Sequence, residues 1–153
     1  MKVIMTCGGT GGHVNPAIAV ANIWKERHPD SKILFIGGTG GMEEELVPKA
    51  GYELIALPAS GLIRGKSLKA MTKNLKIMVQ LVRTVAQCRR ILRRFQPAVV
   101  VGTGGYASFP ALLAASQLKI PTCVHEANAM PGLTTRMIAD RVDKVLVCFP
   151  QSA

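Results

Sequence analysis

The sequence has few aromatic residues, no long apolar run and no paired cysteines. Aromatic side chains make up 5% of the 153 residues, so platforms for stacking nucleic-acid bases are missing. No apolar run reaches the roughly 18 residues that span a bilayer, and glycine follows Cys7 too early for a signal peptide. The four cysteines lack metal-ligand or CxxC spacing, which favours buried free thiols. A cytosolic chain without a nucleic-acid partner is therefore expected.

Acidic residues are missing from a long central stretch. No Asp or Glu lies between Glu53 and Glu126, and this stretch holds eleven of the nineteen Lys and Arg residues. The remainder carries eight basic and nine acidic residues, so the whole positive excess belongs to residues 54–125. Such a segment suits a nucleic acid, an anionic membrane or a phosphorylated ligand, or it is only a solvated basic face.

Short runs rich in Val and Ile alternate with stretches long enough for helices. This alternation predicts a doubly wound α/β domain, in which right-handed crossover helices cover both faces of a parallel sheet. The predicted strands are Lys2 to Cys7, Lys32 to Gly37, Glu53 to Leu57, Ala98 to Gly102, Thr122 to His125 and Lys144 to Cys148. The predicted helices are Asn15 to His28, Met42 to Ala50, Leu68 to Phe95, Phe109 to Leu118 and Leu133 to Asp140.

Two glycine-rich segments follow predicted strands. The first glycine loop comprises Gly8, Gly9, Thr10, Gly11 and Gly12, and the second comprises Gly102, Thr103, Gly104 and Gly105. The first is expected to lead into a helix that Asn15 caps and Pro16 begins, and the second into a helix with Pro110 near its start. Glycine lets a ligand approach backbone amides, and helix N-termini attract anions, so the pair suits a diphosphate. The alternative is that the glycines only form tight turns.

The first glycine loop does not fit the dinucleotide fingerprint G-x-G-x-x-G. Counted from Gly9, the third glycine would fall at Val14. The second predicted strand ends in Ile36-Gly37-Gly38, where no carboxylate stands to hold a ribose hydroxyl. A nucleotide-cofactor oxidoreductase is therefore disfavoured.

Two side chains close to these loops are candidates for proton transfer. His13 follows the first glycine loop, and an imidazole can take up a proton near neutral pH. Glu126 follows the fifth predicted strand and is the rival base, or it holds loop amides. Tyr106 is placed to contact a ligand or to cover the end of the sheet. A purely structural histidine is the alternative for His13.

The segment from Leu68 to Phe95 has apolar residues at helical spacing and cations on the opposite side. Its apolar stripe includes positions 75, 78, 79 and 82, and Ile77 and Leu81 lie beside it. Such a mixture suits the interface of an anionic membrane, and the alternative is a core helix with a solvated basic back. The predicted membrane patch consists of Leu62, Ile63, Arg64, Lys66, Lys69, Lys73, Ile77 and Leu81.

These motifs, in this order, resemble the MurG family of peptidoglycan N-acetylglucosamine transferases over nearly the whole chain. The chain departs from the family pattern at Ala127, where glutamine is common, and at Asn15, where an apolar or aromatic residue is common. The resemblance rests on both glycine loops with His13 and Tyr106, and on Asn15-Pro16-Ala17, Leu46-Val47-Pro48, Ser60-Gly61-Leu62, Arg64-Gly65-Lys66 and His125-Glu126-Ala127-Asn128.

The resemblance implies an inverting hexosyltransferase that makes lipid II. It would move N-acetylglucosamine from UDP-N-acetylglucosamine (UDP-GlcNAc) to the 4-hydroxyl of the muramoyl sugar in undecaprenyl-pyrophosphoryl-MurNAc-pentapeptide (lipid I). UDP-GlcNAc is a substrate, and neither a cofactor nor a structural metal is implied. The family fold has two Rossmann-like domains in the GT-B arrangement. Residues 1–153 resemble the N-terminal acceptor-binding domain, without the C-terminal donor-binding domain that turnover is expected to need.

The resemblance also implies functions for the individual residues that match the family motifs. The glycine loops would bind the acceptor diphosphate, with His13 as base, Glu126 as its rival, and Thr10, Tyr106 and Asn128 positioning the acceptor. The implied partners are the undecaprenyl-linked acceptor, the anionic inner leaflet and the donor-binding domain, at the cytoplasmic face of the bacterial cell membrane as a peripheral protein. A non-catalytic acceptor subunit of a split, two-chain glycosyltransferase is the alternative. Donor contacts are implied for Thr10, Gly11, Gly12 and Asn128.

Overall fold

The described part of the chain folds around one parallel sheet of six strands. The computed structural model describes residues 1–61 and 68–152. The strands are β1 (Lys2–Thr6), β2 (Lys32–Gly38), β3 (Glu53–Leu57), β4 (Val99–Gly102), β5 (Thr122–Glu126) and β6 (Lys144–Val147). The strand order is β3-β2-β1-β4-β5-β6, so the winding direction reverses between β1 and β4. This confirms the predicted doubly wound α/β domain.

Helices cover both faces of the sheet. The helices are α1 (Gly11–Arg27), α2 (Glu43–Lys49), α3 (Leu68–Phe95), α4 (Ser108–Gln117) and α5 (Leu133–Ile138). Short 3₁₀ turns lie at Ala139–Arg141 and Pro150–Ser152. Successive side chains of a strand point to opposite faces, so Val3 and Met5 of β1 pack with α1 and α2, while Ile4 packs with α3, α4 and α5.

Helix α1 begins four residues earlier than the sequence predicts. Its first helical hydrogen bond runs from the Val14 amide to the Thr10 carbonyl (3.1 Å), and Thr10 is the extended residue that precedes the helix. The expected roles of Asn15 as cap and Pro16 as first helical residue are therefore wrong, because both lie inside the helix. The helix now starts within the first glycine loop, which brings its N-terminus to the edge of the sheet.

Helix α3 is continuous over Leu68–Phe95, with the predicted bounds. On its core side Cys88 and Leu92 are buried against the sheet and α4, and the buried Thr84 donates to the Pro58 carbonyl oxygen. None of the helices in the described part of the chain combines the length and apolar composition needed to cross a membrane.

The four thiols are free. Cys7 and Cys88 are buried as expected, and burial is the main reason that the pKa of the Cys88 thiol rises to about 12. Cys123 is half-buried. Cys148 is exposed at the end of the edge strand β6, so the expectation of burial is wrong for this residue.

Candidate functional site

The two glycine loops meet at the carboxyl edge of the sheet, as the order of the strands requires. Strands β1 and β4 are paired neighbours. The backbone has φ of +90° at Gly9, +96° at Gly104 and +79° at Gly105, a region that favours glycine. Gly105 packs so closely on the carbonyl of Gly8 that a side chain at position 105 would overlap it. The two loops therefore form one packed unit.

His13 connects the two loops. Its Nδ1 lies 3.0 Å from the carbonyl oxygen of Thr103, and the Thr103 hydroxyl donates to the His13 carbonyl oxygen at 2.6 Å. A carbonyl oxygen can only accept, so Nδ1 carries the proton in this contact, and in the neutral imidazole Nε2 then holds the lone pair. The ring is half-buried and lines a cavity, which places a proton acceptor at its wall.

The cavity has a volume of about 520 Å³. At its polar end it is lined by His13, Tyr106, Glu126 and Asn128, which come from three different strand ends. Tyr106 is 39% exposed and its ring lies over Gly9. Away from this end the wall is mainly apolar and is supplied by α3, α4 and α5, through Ile77, Leu81, Phe109, Leu113 and Met137.

Glu126 is buried and holds the loop that follows β5. Its Oε1 accepts from the Asn128 backbone amide (3.0 Å) and Nδ2 (2.8 Å). Its Oε2 accepts from the Gly132 amide (2.9 Å) and the Thr135 hydroxyl (2.6 Å). Burial alone raises the pKa of this carboxyl, but the four hydrogen bonds outweigh it and lower the pKa to about 2. The carboxylate is thus ionised and fully engaged with the loop.

The remaining predicted ligand-binding residues fall into two groups. Thr10 and Gly12 are exposed and Gly11 is half-buried, and all three lie where α1 begins. The amides of a first helical turn have no carbonyl from a preceding turn, so this end attracts anions. Gly102, Thr103 and Gly104, in contrast, are buried, and a side chain at Gly102 would meet Leu112. Gly102 therefore serves packing, and Thr103 holds His13.

The exposed face of α3 differs from the predicted one. Ile77 and Leu81, predicted as members of the membrane patch, are half-buried and line the cavity, so they lie beside the exposed face of α3. The helical repeat that buries Thr84 and Cys88 also turns positions 77 and 81 inward. The apolar side chains left exposed are Leu75 (67%), Met78 (48%), Val79 (48%) and Val82 (68%), and Lys73, Lys76, Arg83 and Arg90 are exposed with them.

Part of the predicted membrane patch is not described. Leu62, Ile63, Arg64 and Lys66 lie outside the described residues, and Lys69 belongs to α3 by its backbone alone. In the ranges 1–61 and 68–152, no three His, Cys, Asp or Glu side chains are grouped as a metal site.

Two residues at this edge were not predicted from the sequence. Thr135 on α5 supplies a hydroxyl to Glu126, nine residues earlier in the chain. Glu43 is buried and hydrogen-bonded beneath the first glycine loop. Only the glycines on either side of it, at positions 37, 38 and 41, signalled that a side chain needed room there.

This fold and this edge are those of a glycosyltransferase domain. Residues 3–147 match the Glycosyltransferase family 28 N-terminal domain, and the chain belongs to this family. The sheet and its flanking helices form a Rossmann-like domain of the kind found in the N-terminal half of GT-B glycosyltransferases.

Related proteins show which members of this family the chain resembles. Proteins of Carboxydothermus hydrogenoformans and Clostridioides difficile, 44% and 45% identical over 152 residues, are named UDP-N-acetylglucosamine--N-acetylmuramyl-(pentapeptide) pyrophosphoryl-undecaprenol N-acetylglucosamine transferase. The crystal structure of Acinetobacter baumannii MurG has a TM-score of 0.83 at 27% identity and is matched over 99% of this chain and 43% of that one. The resemblance to the MurG family is thus confirmed.

The match is to part of each relative. It covers 99% of this chain but 40% and 36% of the Carboxydothermus and Clostridioides proteins. UDP-GlcNAc 2-epimerase from Neisseria meningitidis, with a TM-score of 0.62 at 18% identity, shares the fold.

Proposed function

We propose that the chain is the acceptor-binding domain of an inverting transferase that adds N-acetylglucosamine to lipid I. The observation that carries this proposal is the position of His13, at the start of a helix, between two packed glycine loops and on the wall of a cavity. The names of the relatives supply the substrates, UDP-GlcNAc and an undecaprenyl-linked acceptor.

The acceptor diphosphate is proposed to bind at the N-terminus of α1, next to the second glycine loop. Helix α1 is 17 residues long, and its first-turn amides and the dipole of the helix favour a phosphate group there. The four donors that bind the buried Glu126 carboxylate partly offset its repulsion of a phosphate at this edge. The muramoyl sugar would then lie in the polar end of the cavity.

His13 is proposed to be the base. Nε2 takes the proton of the muramoyl 4-hydroxyl as the oxygen attacks the anomeric carbon of UDP-GlcNAc. The new C–O bond forms while the bond to UDP breaks, and the electron pair leaves with the diphosphate, which inverts the anomeric centre. Glu126 is better suited to positioning Asn128, because both of its oxygens already accept hydrogen bonds. The proposed transfer uses no cofactor or metal.

The exposed face of α3 is proposed to rest on the anionic inner leaflet. Four exposed apolar side chains stand among Lys73, Lys76, Arg83 and Arg90 on this face. Each cation near an anionic surface adds about 1 kcal/mol of attraction, and the apolar side chains add buried area. The same helix lines the cavity with Ile77 and Leu81, so a lipid-linked acceptor would enter beside the membrane.

We propose to measure turnover with residues 1–153 joined to the donor-binding domain of a full-length relative. With that domain on the same chain, transfer to a short-chain lipid I analogue is measured for wild type, His13→Ala and His28→Ala. Loss of the base should lower kcat by roughly 10²- to 10⁴-fold. His28 is exposed at the other end of α1 and its loss should change little. Full activity of His13→Ala would remove His13 as the base.

The split-enzyme alternative is tested by supplying the donor-binding domain as a separate chain. Turnover and co-purification of the two chains would favour it. Turnover only from the covalently joined protein would favour the single-chain enzyme.

A further inference from the structure

A buried carboxylate lies directly beneath the first glycine loop. Glu43, the first residue of α2, has no solvent exposure. Its Oε2 accepts from the Gly9 amide at 3.0 Å, and its Oε1 accepts from the Gly38 amide at 2.8 Å. Gly9 belongs to the first glycine loop and Gly38 ends β2, so one side chain joins two segments of the carboxyl edge.

Glycines make room for this carboxylate. A side chain at Gly37 would come within 2.7 Å of the Glu43 side chain, and side chains at Gly8 and Gly41 would overlap the carboxylate. In the dinucleotide fold a carboxylate at the end of the second strand holds a ribose. Here the strand ends in glycine, and the carboxylate comes five residues after Gly38 and turns inward to the loop.

The bond to Glu43 fixes which amides can reach a ligand. Since the Gly9 amide points to the carboxylate, the loop offers a ligand the amides that follow it, at the start of α1. Gly9 has φ of +90°, and its neighbour Gly8 packs against Gly105 of the second glycine loop. The hydrogen bond from the Gly9 amide to Glu43 therefore also affects the packing between the two glycine loops.

The buried carboxylate of Glu43 is unfavourable for binding a diphosphate nearby. Burying a carboxylate is unfavourable unless hydrogen bonds compensate, and its charge repels an anionic ligand. The charge is felt at Cys7, where burial and, second, Glu43 raise the thiol pKa to about 12. A negative group kept here is explained by the two amides that it orients.

We propose that Glu43 is a positioning residue of the diphosphate site: it sets the conformation of the first glycine loop and thereby aims the amides at the start of α1. The identity of the ligand as a diphosphate rests on the proposed function. The effect of Glu43 on the conformation of the loop does not, so loop conformation and ligand binding can be tested separately.

The test combines amide hydrogen exchange with ligand binding on the 153-residue chain, labelled with ¹⁵N. Glu43→Gln replaces one accepting oxygen by an NH₂ group, which faces an amide donor and cannot accept from it. Exchange at Gly9 or Gly38 should become roughly 10- to 100-fold faster, as expected for the loss of a hydrogen bond to a charged group. Affinity for a short-chain lipid I analogue should fall roughly tenfold with it.

Glu45→Gln is the matched control, because Glu45 is exposed on the same helix and the change in charge is identical. This variant should leave both exchange and binding unchanged. Glu43→Gln with wild-type protection of Gly9 and Gly38, or with wild-type affinity, would overturn the proposal.

Measurements on the wild-type protein decide the result in two further cases. If Glu43→Gln does not fold, slow exchange of Gly9 and Gly38 in the wild type supports the hold of Glu43, and exchange at unfolded-chain rates overturns it. If the wild type does not bind the lipid I analogue, the proposed function fails, while the exchange rates still decide whether Glu43 holds the loop.

Discussion

His13 and Thr103 are joined by two hydrogen bonds that run in opposite directions between the glycine loops. The imidazole Nδ1 donates to the Thr103 carbonyl, and the Thr103 hydroxyl donates to the His13 carbonyl. The residues are 90 positions apart, so the pair ties the ends of β1 and β4 together. The same contact sets the tautomer of His13, which leaves Nε2 as the proton acceptor.

Thr103→Val tests this connection. Valine keeps the shape of the buried side chain but removes the hydroxyl donor to His13. The free energy of unfolding should fall by about 1 kcal/mol, the usual net value of a hydrogen bond. Urea denaturation measures it. Ser116→Ala, which removes a hydroxyl bond to Leu113 within α4, is the control for local hydroxyl loss. A lowered kcat in the two-domain enzyme should accompany Thr103→Val alone.

Glu126 should make the protein sensitive to acid. Its folded-state pKa of about 2 lies below the usual value of 4.5, so it stabilises the fold above that value and loses the contribution as pH falls toward 2. The shift corresponds to roughly 3 kcal/mol at neutral pH.

The measurement is the free energy of unfolding between pH 6 and pH 3 for wild type, Glu126→Gln and Glu26→Gln. Glu126→Gln should be less stable at pH 6 and should lose less stability on acidification. Glu26 is exposed on α1, so its variant should follow the wild type. Parallel curves for wild type and Glu126→Gln would contradict this role.

Gly105→Ala should disrupt the site beyond its backbone strain. Both Gly105 (φ +79°) and Gly51 (φ +85°) adopt a conformation that favours glycine, but nothing lies within 4 Å of a side chain at position 51. Gly51→Ala should therefore cost about 1 kcal/mol of stability from strain alone. Gly105→Ala also overlaps the Gly8 carbonyl, so its cost should be larger and acceptor binding should be lost. If Gly105→Ala and Gly51→Ala lowered stability and acceptor binding equally, the close packing of the two loops would be contradicted.

Membrane binding should depend on the cations of α3. Lys76→Glu with Arg83→Glu should weaken binding to vesicles that contain phosphatidylglycerol by at least roughly 30-fold, at about 1 kcal/mol for each cation removed. Binding to phosphatidylcholine vesicles should be little affected. Arg27→Glu with Lys32→Glu changes the net charge equally at exposed positions outside α3 and should retain binding. Cosedimentation compares the two pairs, and equal losses would contradict a specific α3 surface.

Much of the fold could be predicted because the sequence is locally consistent. Strands such as Glu53–Leu57 are apolar runs between turns, and the helical spacing of α3 continues from Leu68 to Phe95. The start of α1 could not be predicted in this way. Glycine has low helix propensity, so Gly11 and Gly12 indicate a loop. Burial of Val14, Ala17 and Ala21 against the sheet instead supports a helix that starts there.

The candidate site was partly predictable from topology. The carboxyl ends of parallel strands meet at one edge, so proximity of His13, Tyr106 and Glu126 follows from the strand order. The hydrogen-bond partners of Glu126 could not be predicted in this way. Gly132 and Thr135 reach Glu126 through a loop whose path has no signal in the sequence.

Two further features needed three-dimensional packing. Glu43 is one of three consecutive glutamates, and only the folded chain shows which of them is buried. Ile77 and Leu81 lie beside an equally apolar stripe on α3, and contacts with α4 decide which of the two faces the cavity.

Calorimetric titration of the purified chain with a short-chain lipid I analogue, with UDP-GlcNAc as the second ligand, tests whether the chain is an acceptor-binding domain. We expect saturable binding of the lipid I analogue, competition by inorganic pyrophosphate, and no comparable response to UDP-GlcNAc. Saturable binding of UDP-GlcNAc without binding of the lipid I analogue would contradict an acceptor-binding role.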